Sequence, residues 1–350
     1  MKNKKRFSAY IKFFVPGIFL VFILFCSRSP GLSEAYMQRC YPVIAAVLSS
    51  VSQIVPFSLL DLLIIAAIVA FLGGIAMMCF RKLAFRCWIN IFSLSLLWII
   101  IWFYMAWGIG YFRPDFHTRF GIEQPKGAGD FFEAFVIRYI DSLNLAYTAD
   151  RHFDAKEIDD EIERLYENMH EQLQLPFPCG VRRTKCTLTE LLMTRMGVAG
   201  YFDPFFNEVQ VNNFLLPADY PFTLAHEKAH QFGITSEAEC NLYASVICTA
   251  SNHPLIRYSG YLQTVSYLLG NLRKISPDNY REIYERIDSL VIADYRMSRE
   301  RWQKALNPAL SAAQSKVYDS YLKTNKQQSG IQSYSEMVGL LIAWEQAKNE

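Results

Sequence analysis

Pro221-Phe222-Thr223-Leu224-Ala225-His226-Glu227-Lys228-Ala229-His230-Gln231 is the stretch on which the reading of this chain turns. It reads as one short helix. Asp219 and Pro221 stand where a helix starts, and Gly233 stands where one ends in a left-handed residue. Residues four apart share a helix face, so His226 and His230 can offer two imidazole nitrogens to one metal ion. Glu227, about 100° further round the helix, can reach a water beside that ion. Two histidines, a carboxylate and an open fourth position make up a common donor set of catalytic zinc. The plain alternative is a surface helix carrying two solvated histidines.

The third ligand should come from the next helix. Ser236-x-x-Glu239 has the form of a capping box, which turns Glu239 back to the Ser236 backbone and leaves Glu237 free on the first turn. Asn241, one turn below Glu237, is placed to hydrogen-bond a ligand. Gly233 and the short loop to Ser236 should fold this helix back and bring Glu237 to the metal. Glu237 is therefore the expected ligand and Glu239 the alternative. Both acids would also simply favour a helix N-terminus.

Glu237-x-x-Cys240-Asn241 is similar to the E-x-x-A-[DN] element of the glutamate-type, thermolysin-like zincins. The resemblance implies zinc on the first glutamate and support of a histidine by the residue four later. The chain as a whole resembles a bacterial membrane family of unknown function grouped with zincin-like metallopeptidases. The residues that carry this are Trp107-Gly108, Tyr111-Phe112-Arg113-Pro114, Gly200-Tyr201-Phe202-Asp203-Pro204-Phe205, Pro221 to Gln231, Arg257-Tyr258-Ser259-Gly260-Tyr261 and Tyr321-Leu322-Lys323. Two features depart from the pattern. Cys240 replaces the usual alanine, and only residues 231–236 separate His230 from Glu237. Asn207-Glu208-Val209-Gln210-Val211-Asn212 alternates like a short strand. By the same resemblance it would bind a peptide by strand addition around Val209 and Val211, with a purely structural strand as the alternative.

Composition places this domain beside a membrane. The chain has 350 residues, 52% of them hydrophobic and 15% aromatic, enough for one domain and several spans. The net charge of +2 says nothing about nucleic acid, and no basic–aromatic patch points to it, so no nucleic-acid partner is expected. Three apolar runs, at about 11–27, 57–80 and 88–112, predict transmembrane helices. The first follows Lys2, Lys4, Lys5 and Arg6, and Arg81 to Arg86 adds three positive charges between the other two. The positive-inside rule puts both segments in the cytoplasm, so residues 113–350 lie outside it. By the resemblance, the membrane is the bacterial cytoplasmic (inner) one. Ser29 to Pro56 reads as an external loop with a helix on the membrane surface. Charged residues around the His-Glu-x-x-His helix argue against cleavage within the bilayer.

The remaining features are less specific. Cys179 and Cys186 bracket an external loop, where a disulfide is an open option. Residues 124–129 read as a linker. Asp130 and Asp154 should cap helices running to about Tyr147 and Leu173. The acidic run Glu157 to Glu163 reads as a solvated helix face. A helical tail follows Tyr261, broken near Ser329-Gly330.

The expected fold is three transmembrane helices followed by a mainly α, α+β zincin-like domain with a small sheet. The expected activity is zinc-dependent peptide hydrolysis, with Glu227 as general base and Tyr258 as the donor to the developing oxyanion. Its partners would be a peptide or protein substrate and the lipid bilayer. The rival is a non-enzymatic membrane protein with a structural or sensory zinc.

Overall fold

The computed structural model describes residues 2–124, 130–325 and 334–348, with the side chains of residues 14–124, 131–325 and 336–348. The expected linker, all but Gln124, and the break at Ser329-Gly330 lie outside the described residues. The chain is mostly helical. Its N-terminal part runs α1 (Lys2–Arg28), α2 (Pro30–Arg39), α3 (Tyr41–Ser52), α4 (Leu59–Cys79) and α5 (Phe85–Ala106). A 3-10 turn over Gly108–Phe112 leads to α6 (Phe116–Phe120), α7 (Asp130–Ala146), α8 (Ala155–Met169) and α9 (Glu190–Met196). Strands β1 (Gly200–Asp203) and β2 (Glu208–Val211) precede α10 (Tyr220–Gln231), α11 (Glu237–Thr249) and α12 (Pro254–Ile275). The tail is α13 (Tyr280–Tyr284), α14 (Ser289–Ala305), α15 (Pro308–Thr324) and α16 (Tyr334–Ala347).

Among the described residues, two helices, α4 and α5, are long and apolar enough to cross a membrane. Residues Phe14–Arg28 qualify only when joined to α2 across a bend of 114°. That bend falls at Ser29, whose extended backbone is what the following Pro30 imposes. The third apolar run stops as a span at Ala106 rather than reaching 112. Trp107 and Ile109 turn inward there and are buried with Tyr36, Met37 and Tyr41 in a small core of their own.

The segment 29–56 contains two helices where one was expected. It forms α2 and α3, which meet the C-terminal end of α10 and the turn after it. Tyr36 donates to the Met105 carbonyl at 2.5 Å. Tyr41, fully buried, donates to the Gln231 carbonyl at 2.8 Å and accepts from Asn207 Nδ2 at 3.0 Å.

The main core joins α7, α8, α10, α11, α12 and α16 through residues such as Leu143, Ile162, Leu224, Leu242, Leu268 and Leu341. Buried charge runs through it. Lys228 is fully buried, with Nζ 2.6 Å from Asp159 Oδ1 and 2.7 Å from Glu163 Oε2. The acidic face of α8 is therefore solvated only in part, because these two carboxylates turn inward to meet a lysine. A second buried pair, Lys185 and Glu208 at 2.7 Å, sits beside the start of α4. Glu208 also accepts from Leu59 N at 3.0 Å and so caps that span from within the domain. All eight cysteines are free, and the Cys179–Cys186 disulfide is not formed.

The reversal between α10 and α11 depends on Gly233, at φ +89°, a conformation that L-residues with side chains avoid. A Cβ there would also lie 2.7 Å from Met37 Cε and 2.8 Å from Tyr41 Cε1. Gly233→Val should thus cost about 3 kcal/mol or more from backbone strain plus overpacking. Gly121 is also left-handed, but nothing lies within 4 Å of its Cβ position. Gly121→Asn should therefore cost less than about 1 kcal/mol. Thermal unfolding of the two variants checks this; equal losses would remove the crowding argument.

Candidate metal centre

His226 and His230 project from one face of α10, and α11 brings Glu237 across from them. His226 Nε2 lies 3.3 Å from Glu237 Oε2, and His230 Nε2 lies 3.4 Å from Glu237 Oε1. Two donors on a tetrahedral zinc with arms of about 2.1 Å stand about 3.4 Å apart, so each histidine nitrogen stands about one such edge from its own Glu237 oxygen. His226, Glu227 and His230 also bring one donor atom each within 4.8 Å of one another.

The other ring nitrogens are occupied. His226 Nδ1 faces Asn241 Oδ1 at 2.9 Å, and His230 Nδ1 faces the Ile234 carbonyl at 2.8 Å. Tyr267 also donates to Asn241 Oδ1, at 3.1 Å, which marks that atom as an acceptor. Each Nδ1 is thus engaged by an oxygen acceptor, and each Nε2 is directed towards Glu237. Cys240, the departure from the usual alanine, lies with Sγ 3.3 Å from His230 Nδ1. Burial pushes its thiol pKa up to about 12, so it packs as a neutral group.

The carboxylates are differentiated by their surroundings. Burial acts to raise the Glu237 pKa, but the two histidines outweigh it and hold the group well below the usual range. Glu227 is raised, because burial dominates over the attraction of the same histidines. Gly200 of β1 makes room for Glu227, since a Cβ there would sit 3.0 Å from Glu227 Oε1. Tyr318 from α15 donates to Glu237 Oε1 at 2.5 Å. Burial and then Glu237 raise the pKa of this phenol well above its ordinary value, which keeps its proton in place.

These groups line a cleft of about 610 Å³. Its walls are residues 197–202 leading into and along β1, the His226 face of α10, Tyr318 and Tyr321 of α15, and Trp107 and Tyr111 after α5. Trp107 Nε1 donates to the His230 carbonyl at 2.9 Å, tying the metal-motif helix to the end of the span. Trp107, Tyr111, Gly200, Tyr201, Phe202 and Tyr321 all belong to the motifs of the resemblance, and here they gather round one cavity.

Three expectations need correction. Tyr258 is fully buried on α12 and donates to Asp294 Oδ2 at 2.6 Å, beside Arg151. It does not line the cleft, so it is no oxyanion donor. Val209 and Val211 face the core, and β2 is enclosed by β1 on one side and by Lys185 N donating to the Val209 carbonyl on the other. The open edge is that of β1. Asn212 N donates to the Ala199 carbonyl, and the antiparallel alternation then turns the N–H and C=O groups of Gly200 and Phe202 outward. Glu239 is occupied with the buried Arg119 rather than with the Ser236 backbone; only the Ser236 half of the capping box forms.

Tyr318 was missed because no local pattern marks a tyrosine 81 residues beyond its partner. If Asn241 fixes the His226 ring, Asn241→Ala should lower zinc affinity about 10–100-fold, while Tyr258→Phe should leave it unchanged. Competition titration against a zinc chelator measures both; equal affinities for Asn241→Ala and the parent would contradict the assignment.

No curated protein and no solved structure matches the chain. A family match covers residues 36–342, which hold the cleft and both helices that could span a membrane. The chain belongs to the family described as Protein of unknown function (DUF3810).

Proposed function

We propose that this chain is a membrane-anchored, zinc-dependent peptidase of zincin-like design, with its catalytic domain outside the cytoplasm of a bacterial cell. The observation that carries the reading is that His226, Glu227 and His230 bring donor atoms within 4.8 Å of one another in an open cleft, with Glu237 Oε2 3.3 Å from His226 Nε2 and its Oε1 3.4 Å from His230 Nε2. His226, His230 and Glu237 would hold the metal, and Asn241 would orient His226. Bound zinc would supply Lewis acidity towards the substrate carbonyl and a water nucleophile of lowered pKa.

The remaining roles belong to the chain. Glu227, with its raised pKa, accepts a proton from the attacking water and returns it to the leaving amine. The outer edge of β1 pairs with an extended peptide at Gly200 and Phe202, replacing the role first expected of β2. Tyr318, protonated and lining the cleft, takes the oxyanion-donor role in place of Tyr258 by passing its single hydrogen bond from Glu237 to the substrate oxygen.

Metal analysis of the purified full chain should give about one zinc per protein, lost in His230→Ala and in Glu237→Ala. Glu227→Gln should retain the metal but lose peptide cleavage by about 10²–10⁴-fold. A zinc-loaded Glu227→Gln variant that behaves like the parent would favour a structural or sensory metal. A folded parent that takes up no zinc would overturn the proposal.

A further inference from the structure

The cleft is bounded on two sides by elements that belong at a bilayer surface. On one side, α5 ends at Ala106, and the next residue, Trp107, both lines the cleft and hydrogen-bonds the His230 carbonyl. Trp98 and Trp102 stand exposed near the end of the same helix, as interfacial aromatic residues do. Trp102 Nε1 also donates to the Phe205 carbonyl at 3.2 Å, one residue beyond Pro204 of the cleft wall. On the other side, the start of α4 is held by the domain. Asp61 Oδ2 accepts from Leu188 N at 2.7 Å and from Thr187 Oγ1 at 3.0 Å.

The end of α5 and the start of α4 lie on the same membrane face, because residues 80–84 join the two helices into a hairpin whose rings meet at Phe71 and Trp88. At that level the domain presents apolar side chains to the outside: Leu188, Leu191 and Leu192 are 62%, 74% and 46% exposed, and Ile54 is 79% exposed. Leu188 is tied by its N–H to Asp61 at the mouth of a span, and Leu191 and Leu192 follow it within one turn, so lipid is the cover this patch would meet. Helix α9 carries Leu191 and Leu192 and runs directly into Gly197, where the cleft begins. Its seven residues span only about 10 Å.

Resting on the peptidase reading above, we propose that the substrate is a polypeptide anchored in the same bilayer and cut close to the membrane surface, its chain entering along β1 from the α9 rim. A peptide paired with the β1 edge would then pass from lipid to the metal-binding side chains within about three or four residues, at 3.3 Å per residue.

The test uses the full chain reconstituted in phosphatidylcholine–phosphatidylglycerol vesicles. The probe is a mixed library of quenched-fluorescent decapeptides in three forms. One is free; one is joined to a phosphatidylethanolamine anchor through three glycines; one is joined to the same anchor through twelve prolines, a rigid spacer of about 37 Å. The two anchored forms share one surface concentration, so only the height of the scissile bond differs between them. The glycine-spaced form should be cleaved at least tenfold faster than the proline-spaced form. Leu191→Asp combined with Leu192→Asp should erase that preference while leaving cleavage of the free form in detergent unchanged. Equal rates for the two spacers in the unaltered protein would overturn the inference and leave the peptidase reading standing. No cleavage of any form by the zinc-loaded parent would overturn both.

Discussion

The turn at Gly233 governs the site, because it returns α11 along α10 in the few residues between His230 and Glu237. The three side chains can meet only if this reversal is tight, and it is tight only because Gly233 adopts a left-handed conformation against Met37 and Tyr41. Those two residues come from helices between the first and second apolar runs. The segment between those runs is thus a supporting wall of the candidate site. Trp107 adds a second wall, and its hydrogen bond to the His230 carbonyl ties the end of α10 to the end of α5.

Buried charge organises the surroundings of that turn. Lys228 lies between His226 and His230 in sequence but points away from the cleft into the carboxylates of α8. Removing one partner of such a group leaves an uncompensated buried charge, which typically costs about 3–5 kcal/mol. The pair therefore sets which face of α10 turns inward. Lys185 and Glu208 play the same part at β2, where the carboxylate also caps α4. Sheet, span and metal-motif helix are consequently held in one arrangement by two lysines.

Much of this was legible in the chain where the signal is local. The 3.6-residue period placed His226 and His230 on one face, Gly233 marked the helix end, and Ser236 marked the next start. The two long apolar runs gave α4 and α5 nearly to their ends. Non-local features were not legible. Lys228 and Asp159 look solvent-exposed by type, since nothing nearby in sequence shows that they neutralise each other in the core. Val209 and Val211 alternate as an edge strand would, but the segment at Lys185 closes that edge from outside the pattern. Tyr258 has the right chemistry and sits on a neighbouring helix, yet α12 turns it towards Asp294. Tyr318 arrives from a helix whose docking no short motif announces.

The central claim is that His226, His230 and Glu237 form one zinc site, and X-ray absorption at the zinc edge of the purified full chain tests it most directly. The account predicts a shell of nitrogen and oxygen donors at about 2.0–2.2 Å, with the multiple scattering of two imidazoles and no sulfur. Glu237→Ala should abolish that shell together with the bound zinc. A sulfur contribution at about 2.3 Å would place Cys240 on the metal, and a shell unaltered by Glu237→Ala would contradict the site described here.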